Sequence, residues 1–164
     1  MKILIAAAGK TGTAMTCAER LAVLLEGAQV ADLTLSWPDP EEYDAVIVGG
    51  SIRMGQLHRK ARSYLVQHRD ALLARPLGCF VCCALTEEAE GYLKKNIPAP
   101  LLEHAAAAVC LGGRLAPRAR SGMDKFLAAS FARSLEKGGR PAPTIDDEAI
   151  RQLARQMRLA AGRG

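Results

Sequence analysis

The chain has few aromatic residues: Phe, Tyr and Trp make up 4% of its 164 residues, with a single Trp. Proteins that grip single-stranded nucleic acid set aromatic platforms in a basic groove. With so few rings, and no long basic run between them, nucleic acid is excluded as a partner class. Long apolar runs are also missing, and none approaches the ~20 residues a membrane helix needs. Lys2 and the short run Ile3–Ala8 do not have the shape of an export signal, so a cytoplasmic location is expected. Histidine is scarce. His58, His68 and His104 form no cluster with Cys or Asp at metal-ligand spacing, and no metal site is expected. Internal repeats and long linkers are absent, so residues 1–164 are expected to form one domain.

The cysteines are odd in number: Cys17, Cys79, Cys82, Cys83 and Cys110. All lie in apolar runs, which suits a reducing compartment. Cys79 and Cys82 match C-x-x-C, but a redox motif of that kind works at a helix N-terminus. The run Gly78–Ala84 reads instead as a buried strand, where residues three apart face opposite sides. These cysteines read as small core residues.

Apolar residues make up 49% of the chain, ample for a core, and the formal net charge is +5. That charge suits an anionic membrane surface or an acidic small molecule. Buried strands are predicted over Lys2–Ala8, Gln29–Leu33, Asp44–Gly49 (ending in Gly49-Gly50), Leu77–Ala84 and Ala105–Leu111. The alanines of the last leave a continuation of the preceding helix open. Between them, apolar residues recur at helical spacing: Ala14, Cys17, Ala18, Leu21, Ala22 and Leu25, closed by Gly27, then Leu57, Ala61, Tyr64, Leu65 and His68. Thr86 is the expected N-cap of a further helix, with Glu87, Glu88 and Glu90 in its first turn. Capping boxes at Ser121–Asp124 and Thr144–Asp147 open two more, the last running through Ile150, Leu153, Ala154 and Met157. Strands that are apolar throughout and alternate with helices indicate a parallel sheet covered on both faces. In such doubly wound α/β sheets the ligand lies beyond the C-terminal ends of the strands.

The loop Gly9-Lys10-Thr11-Gly12-Thr13 joins the first strand to a helix N-terminus, where free amides make an anion site. The Walker pattern fails, because Leu4 stands where its first glycine belongs. The dinucleotide pattern fails at Thr11 and Ala14. A terminal monophosphate fits this loop better than a pyrophosphate. The alternative is a tight turn that uses glycine and threonine only for geometry.

The stretch Ile3–Ala14 resembles the first strand and phosphate loop of the flavodoxin family, S/T-x-T-G-x-T, with Gly9 and Ala14 at the first and last hydroxyl positions. The segment Tyr43–His58, containing Gly49-Gly50-Ser51-Ile52-Arg53-Met54-Gly55, looks like the corresponding part of the menaquinone-dependent protoporphyrinogen oxidases. Gly112–Leu115 and Met123–Phe126 are similar to that subfamily's basic loop and following helix. The subfamily often carries an aromatic at Met54, and a longer, more basic insertion where this chain has Leu85–Glu88. The resemblance implies a five-stranded sheet of order 2-1-3-4-5 between helical layers, and flavin mononucleotide (FMN) as cofactor. It implies cofactor contacts from Gly9, Lys10, Thr11, Gly12, Thr13 and Ala14, from Ser51, Ile52, Arg53, Met54 and Gly55, and from Ala84, Leu85 and Thr86. Ser51 and Arg53 are the foremost ring contacts.

The implied activity is an oxidoreductase step of haem biosynthesis, with a porphyrinogen-type substrate and a quinone acceptor. Arg114, Arg118, Arg120 and Lys125 would meet acidic porphyrin side chains or anionic lipid at the inner face of the membrane. Two other functions stay open: an electron carrier serving a redox protein, and a domain that has lost FMN and acts as a binding module. His58 reads as a helix-start residue, with a proton-transfer role as the alternative.

Overall fold

The computed structural model describes residues 1–113 and 144–163. Five parallel strands, Ile3–Ala8 (β1), Gln29–Asp32 (β2), Ala45–Arg53 (β3), Leu77–Cys82 (β5) and Ala107–Cys110 (β6), lie in the order β2-β1-β3-β5-β6. The two-residue strand Gln56–Leu57 (β4) folds back antiparallel on the end of β3. Counted alone, the parallel strands have the expected order 2-1-3-4-5.

Side-chain alternation along the central strands explains why they read as unbroken apolar runs. Leu4, Ala6, Val46, Val48, Cys79 and Val81 face one layer. That layer comprises Arg59–Gln67 (α2), Arg69–Leu73 (α3), Ala89–Asn96 (α4) and Ala99–His104 (α5), which contribute Tyr64, Leu65, Leu72, Leu93 and Leu101. Ile3, Ile5, Ala45, Ile47, Phe80 and Cys82 face the other layer. It comprises Thr13–Leu24 (α1) and Asp147–Gly162 (α6), with Cys17, Leu21, Leu153 and Met157 buried against the sheet. Cys79 and Cys82 therefore sit on opposite faces, in separate cores.

Several boundaries differ from the sequence expectation. The third strand does not end at Gly49-Gly50 but runs on to Arg53, because β4 supplies a partner for its extension. The expected second helix breaks at His68, whose ring packs 4.6 Å from that of Tyr64. Trp37, on the β2–β3 connection, closes this aromatic cluster edge-on to Tyr64 at 5.6 Å. Thr86 is not an N-cap. It opens a 3-10 turn, Thr86–Glu88, ahead of α4. The cap of α6 is Asp146, whose carboxylate accepts from the Ala149 N–H at 3.0 Å. Thr144 and Ile145 are taken up instead by the sheet edge: Gly113 N–H donates to the Thr144 carbonyl, Ile145 bridges Gly112, and Asp146 N–H donates to the Leu111 carbonyl. The capping box at Ser121–Asp124 lies outside the described residues.

Glycine in β3 is a matter of space. A Cβ on Gly49 would lie 2.2 Å from Cε1 of Phe80, so that ring packs directly on the Gly49 backbone.

Candidate functional site

Register brings three loops to one end of the sheet. Ala8 pairs with Gly50, and Ser51 with Cys82. The chain therefore leaves β1, β3 and β5 side by side, and Gly9–Thr13, Ser51–Gly55 and Ala84–Thr86 follow from those ends.

The first loop ends at Gly12, in the left-handed region at φ 87°. It is the N-cap of α1 and supplies no side-chain cap. The amides of the first turn of α1 thus face the strand end with no capping oxygen from their own helix, the arrangement that attracts an anion. Thr11 and Thr13 hydroxyls lie 3.4 Å apart beside them. Gly9 leaves a small cradle: a Cβ there would come within 3.1 Å of both Ser51 Oγ and Ala14 Cβ. Ser51 and Gly9 thus adjoin across β1 and β3. Ala14 is fully buried and belongs to the core, and Lys10 is exposed.

The second loop is a hairpin. Arg53 pairs with Gln56 around a two-residue turn, Met54-Gly55. Both turn residues have positive φ, 52° and 77°, as a tight hairpin that matches strand twist requires. Met54 is 79% exposed at the tip. Ile52 packs against the core. Arg53 lies on the strand beside Ser51 and is half-buried.

The residue that holds this hairpin gave no signal in the sequence. Asn96, the last residue of α4, is a buried side chain. Its Oδ1 accepts from the Leu57 N–H at 2.9 Å, and its Nδ2 donates to the carbonyls of Gly55 at 3.0 Å and Tyr92 at 2.9 Å. Tyr92 and Lys95 come with it to the hairpin: a Cβ on Gly55 would lie 3.8 Å from Tyr92 Cε1 and 3.4 Å from Lys95 Nζ. In the third loop Ala84 and Leu85 are half-buried and Thr86 is exposed, and Gly113 packs against the Cys83–Ala84 peptide.

His58 is the N-cap of α2. Its Nδ1 accepts from the Lys60 N–H at 3.1 Å, and the His58 backbone N–H donates to the Ser51 carbonyl at 3.0 Å. Burial, together with the positive charges of Lys10, Arg59 and Lys60, holds the imidazole below its ordinary pKa, against an opposing pull from Asp32. The ring is neutral near pH 7, as the cap requires. Arg114, Arg118, Arg120 and Lys125 lie outside the described residues, as does Met123–Phe126.

A doubly wound sheet with an uncapped, glycine-shaped loop after its first strand is the framework of a mononucleotide-binding domain. The model of the flavodoxin domain family matches residues 4–157, and the chain belongs to that family. No curated protein matches it. Among solved structures, the Fusobacterium nucleatum flavodoxin bound to flavin mononucleotide is 12% identical, with a TM-score of 0.50 over 72% of this chain and 74% of that one. A mutant of that flavodoxin, also bound to flavin mononucleotide, matches at 12% identity and TM-score 0.50, over 73% of this chain and 74% of that one. A flavoprotein from Lactobacillus acidophilus in complex with FMN is 15% identical, with a TM-score of 0.47 over 68% of this chain and 90% of that one. Among the described residues no helix is long and apolar enough to cross a membrane.

Proposed function

We propose that this chain is an FMN-dependent redox protein, with the phosphate at Gly9–Thr13 and the ring system between Ser51–Gly55 and Ala84–Thr86. The observation that carries this is the uncapped amino end of α1 set against the Gly9 cradle. Amides there need acceptor oxygens, and a phosphate monoester supplies them. Likeness of fold to an FMN-bound flavodoxin supports the choice of ligand.

When bound, the flavin supplies electron or hydride transfer. The chain's own residues do the rest. Thr11 and Thr13 add hydroxyl donors to the amides. Asn96 fixes the Ser51–Gly55 hairpin so that its backbone donors and acceptors keep one position. His58, neutral and fixed by the Lys60 amide, anchors the start of α2 behind that hairpin.

Within this class we infer an oxidoreductase of the menaquinone-dependent protoporphyrinogen oxidase type, with a porphyrinogen-class substrate and a quinone acceptor. The segment Tyr43–His58 supports it: the strand, the two-residue turn and the capping histidine form one continuous unit here. The net charge of +5 suits an acidic substrate better than it suits a carrier that must match a basic partner.

The test is the absorption spectrum of the purified protein, followed by titration with FMN. A yellow protein, or saturable FMN uptake, is expected. A colourless protein that ignores added FMN overturns the proposal and leaves a binding module. Turnover of protoporphyrinogen with a quinone tests the finer inference. An FMN-loaded protein that oxidises no tetrapyrrole, but accepts electrons from a flavodoxin reductase, is a carrier instead.

A further inference from the structure

Two pairs of thiols flank the C-terminal edge of the sheet, one on each face. Cys82 ends β5 and points into the α1–α6 layer, where its sulfur lies 3.6 Å from that of Cys17. Both are almost fully enclosed, at 3% and 0% exposure. Cys83, the next residue, points the other way. Val81 pairs with Cys110 in the β5–β6 ladder, which places Cys83 and Cys110 on a common face, one step apart along the strands. Their sulfurs are 3.1 Å apart. Cys110 is only half-buried, so this pair, unlike the first, has a path to solvent.

The two thiols differ in character. Cys83 is pushed up, first by its hydrogen bond to Cys110 and by burial, then by the negative charge of Glu88 and Glu87. Tyr92, on α4, also faces it. Cys110 is drawn down to about 7, first by its hydrogen bond with Cys83 and with help from backbone hydrogen bonds at Gly112 and Cys83, against burial and the Asp146 carboxylate. A sulfur that ionises near neutral pH, beside a thiol that keeps its proton, is the pattern of an attacking and a resolving cysteine.

We propose that Cys83 and Cys110 form a peroxide-reactive dithiol at the ligand edge of the sheet, with Cys110 as attacking sulfur and Cys83 as resolving sulfur. The Cys110 thiolate attacks one oxygen of hydrogen peroxide. The O–O bond breaks, the leaving hydroxide takes a proton to become water, and Cys110 is oxidised by two electrons to the sulfenic acid. The Cys83 sulfur then attacks Cys110. The S–S bond forms, the S–O bond breaks, and the hydroxyl leaves as water with the Cys83 proton. Two thiols and one peroxide give one disulfide and two waters. The sulfurs must close from 3.1 Å to the ~2.05 Å of a disulfide. Cys83 Sγ also lies 3.6 Å from the Leu85 carbonyl. Oxidation therefore exchanges a contact with the Ala84–Thr86 loop for a covalent tie to β6.

The test uses the full chain, reduced, exposed to hydrogen peroxide, blocked with an alkylating agent and mapped by non-reducing peptide mass spectrometry. A Cys83–Cys110 link is expected before any other. Cys83→Ser is expected to leave a sulfenic acid at Cys110, trapped by dimedone, with no disulfide. Cys110→Ser is expected to leave Cys83 reduced. In the reduced protein, alkylation of Cys110 is expected to be half-maximal near pH 7, far ahead of buried Cys79. The proposal is overturned if Cys17–Cys82 links first. It is equally overturned if Cys110 alkylates no faster than Cys79, or if all five thiols survive peroxide that fully oxidises free cysteine. The unmodified chain alone decides these, whatever the serine variants do to folding.

Discussion

Asn96 and Gly55, 41 residues apart in the chain, are joined by a 3.0 Å hydrogen bond from Nδ2 to the Gly55 carbonyl. The same amide accepts from Leu57, so one buried side chain grips both ends of β4. Asn96→Ala leaves the Leu57 N–H and the Gly55 carbonyl without that partner, and a buried orphan costs roughly 1–3 kcal/mol. A loss of about 2–4 kcal/mol in unfolding free energy is expected by urea titration. FMN affinity is expected to fall at least tenfold. Leu101→Ala, a core truncation in α5 away from the hairpin, should cost similar stability and leave FMN affinity within about twofold.

Filling the Gly9 cradle tests the phosphate loop. A valine there meets Ser51 Oγ and Ala14 Cβ, both 3.1 Å from its Cβ position. Gly9→Val is expected to weaken FMN binding at least tenfold, read by quenching of flavin fluorescence. Gly9→Ser, which adds back a hydroxyl, is expected to gain nothing unless Ser51→Ala makes room for it. An undiminished affinity in Gly9→Val places the phosphate elsewhere.

Met54 occupies a backbone conformation that costs an ordinary side chain about 1–2 kcal/mol. Asn-Gly is the favoured pair for a turn with two positive φ values. Met54→Asn is therefore expected to raise stability by ~1 kcal/mol, seen as a higher urea midpoint. If Met54 covers a bound ring, the same variant binds FMN more weakly, so stability and affinity move in opposite directions.

Gly49→Ala drives a methyl into the Phe80 ring. Overpacking of this kind typically costs about 1–3 kcal/mol or more, and soluble expression should drop. Phe80→Leu in the same chain is expected to recover part of the loss, since it removes Cε1 and Cζ, two of the three atoms the methyl strikes. Additive losses in the double variant would show that the ring can step aside.

The His58 pKa sets a pH dependence. Its folded value lies below its ordinary 6.5, so in acid the unfolded chain binds the proton first. The stability His58 contributes is complete above about pH 6.5 and is lost as pH falls through the folded value. Urea midpoints measured from about pH 8 to 5 should show this slope. His58→Asn keeps a capping acceptor for the Lys60 amide and should lack His58's share of the slope. An NMR titration of the ring reads the folded value directly.

The fold was legible because it is written locally. Each central strand is apolar end to end, and the helices that follow carry their own spacing and glycine signals. Features that depend on register or distance were not. Two residues of strand at Gln56–Leu57 make no pattern, and Met54-Gly55 lacks the asparagine that marks such turns. Asn96 reads as an ordinary polar helix end until α4 is laid beside the hairpin. Tyr92 and Lys95 were hidden for the same reason. The α6 cap shifted from Thr144 to Asp146 because Ile145 is claimed by Gly112, a contact no local window contains. The pairing of Cys83 with Cys110 needed the β5–β6 register. Sequence separated Cys79 from Cys82 correctly because strand alternation alone decides it.

Gly113 and Thr144 meet through a backbone hydrogen bond, so the sheet edge holds together two residues far apart in the chain. Loop-closure entropy at this contact grows only slowly with the length of chain between the two residues. Halving the chain between Gly113 and Thr144 would therefore change the closure cost by only about 0.6 kcal/mol.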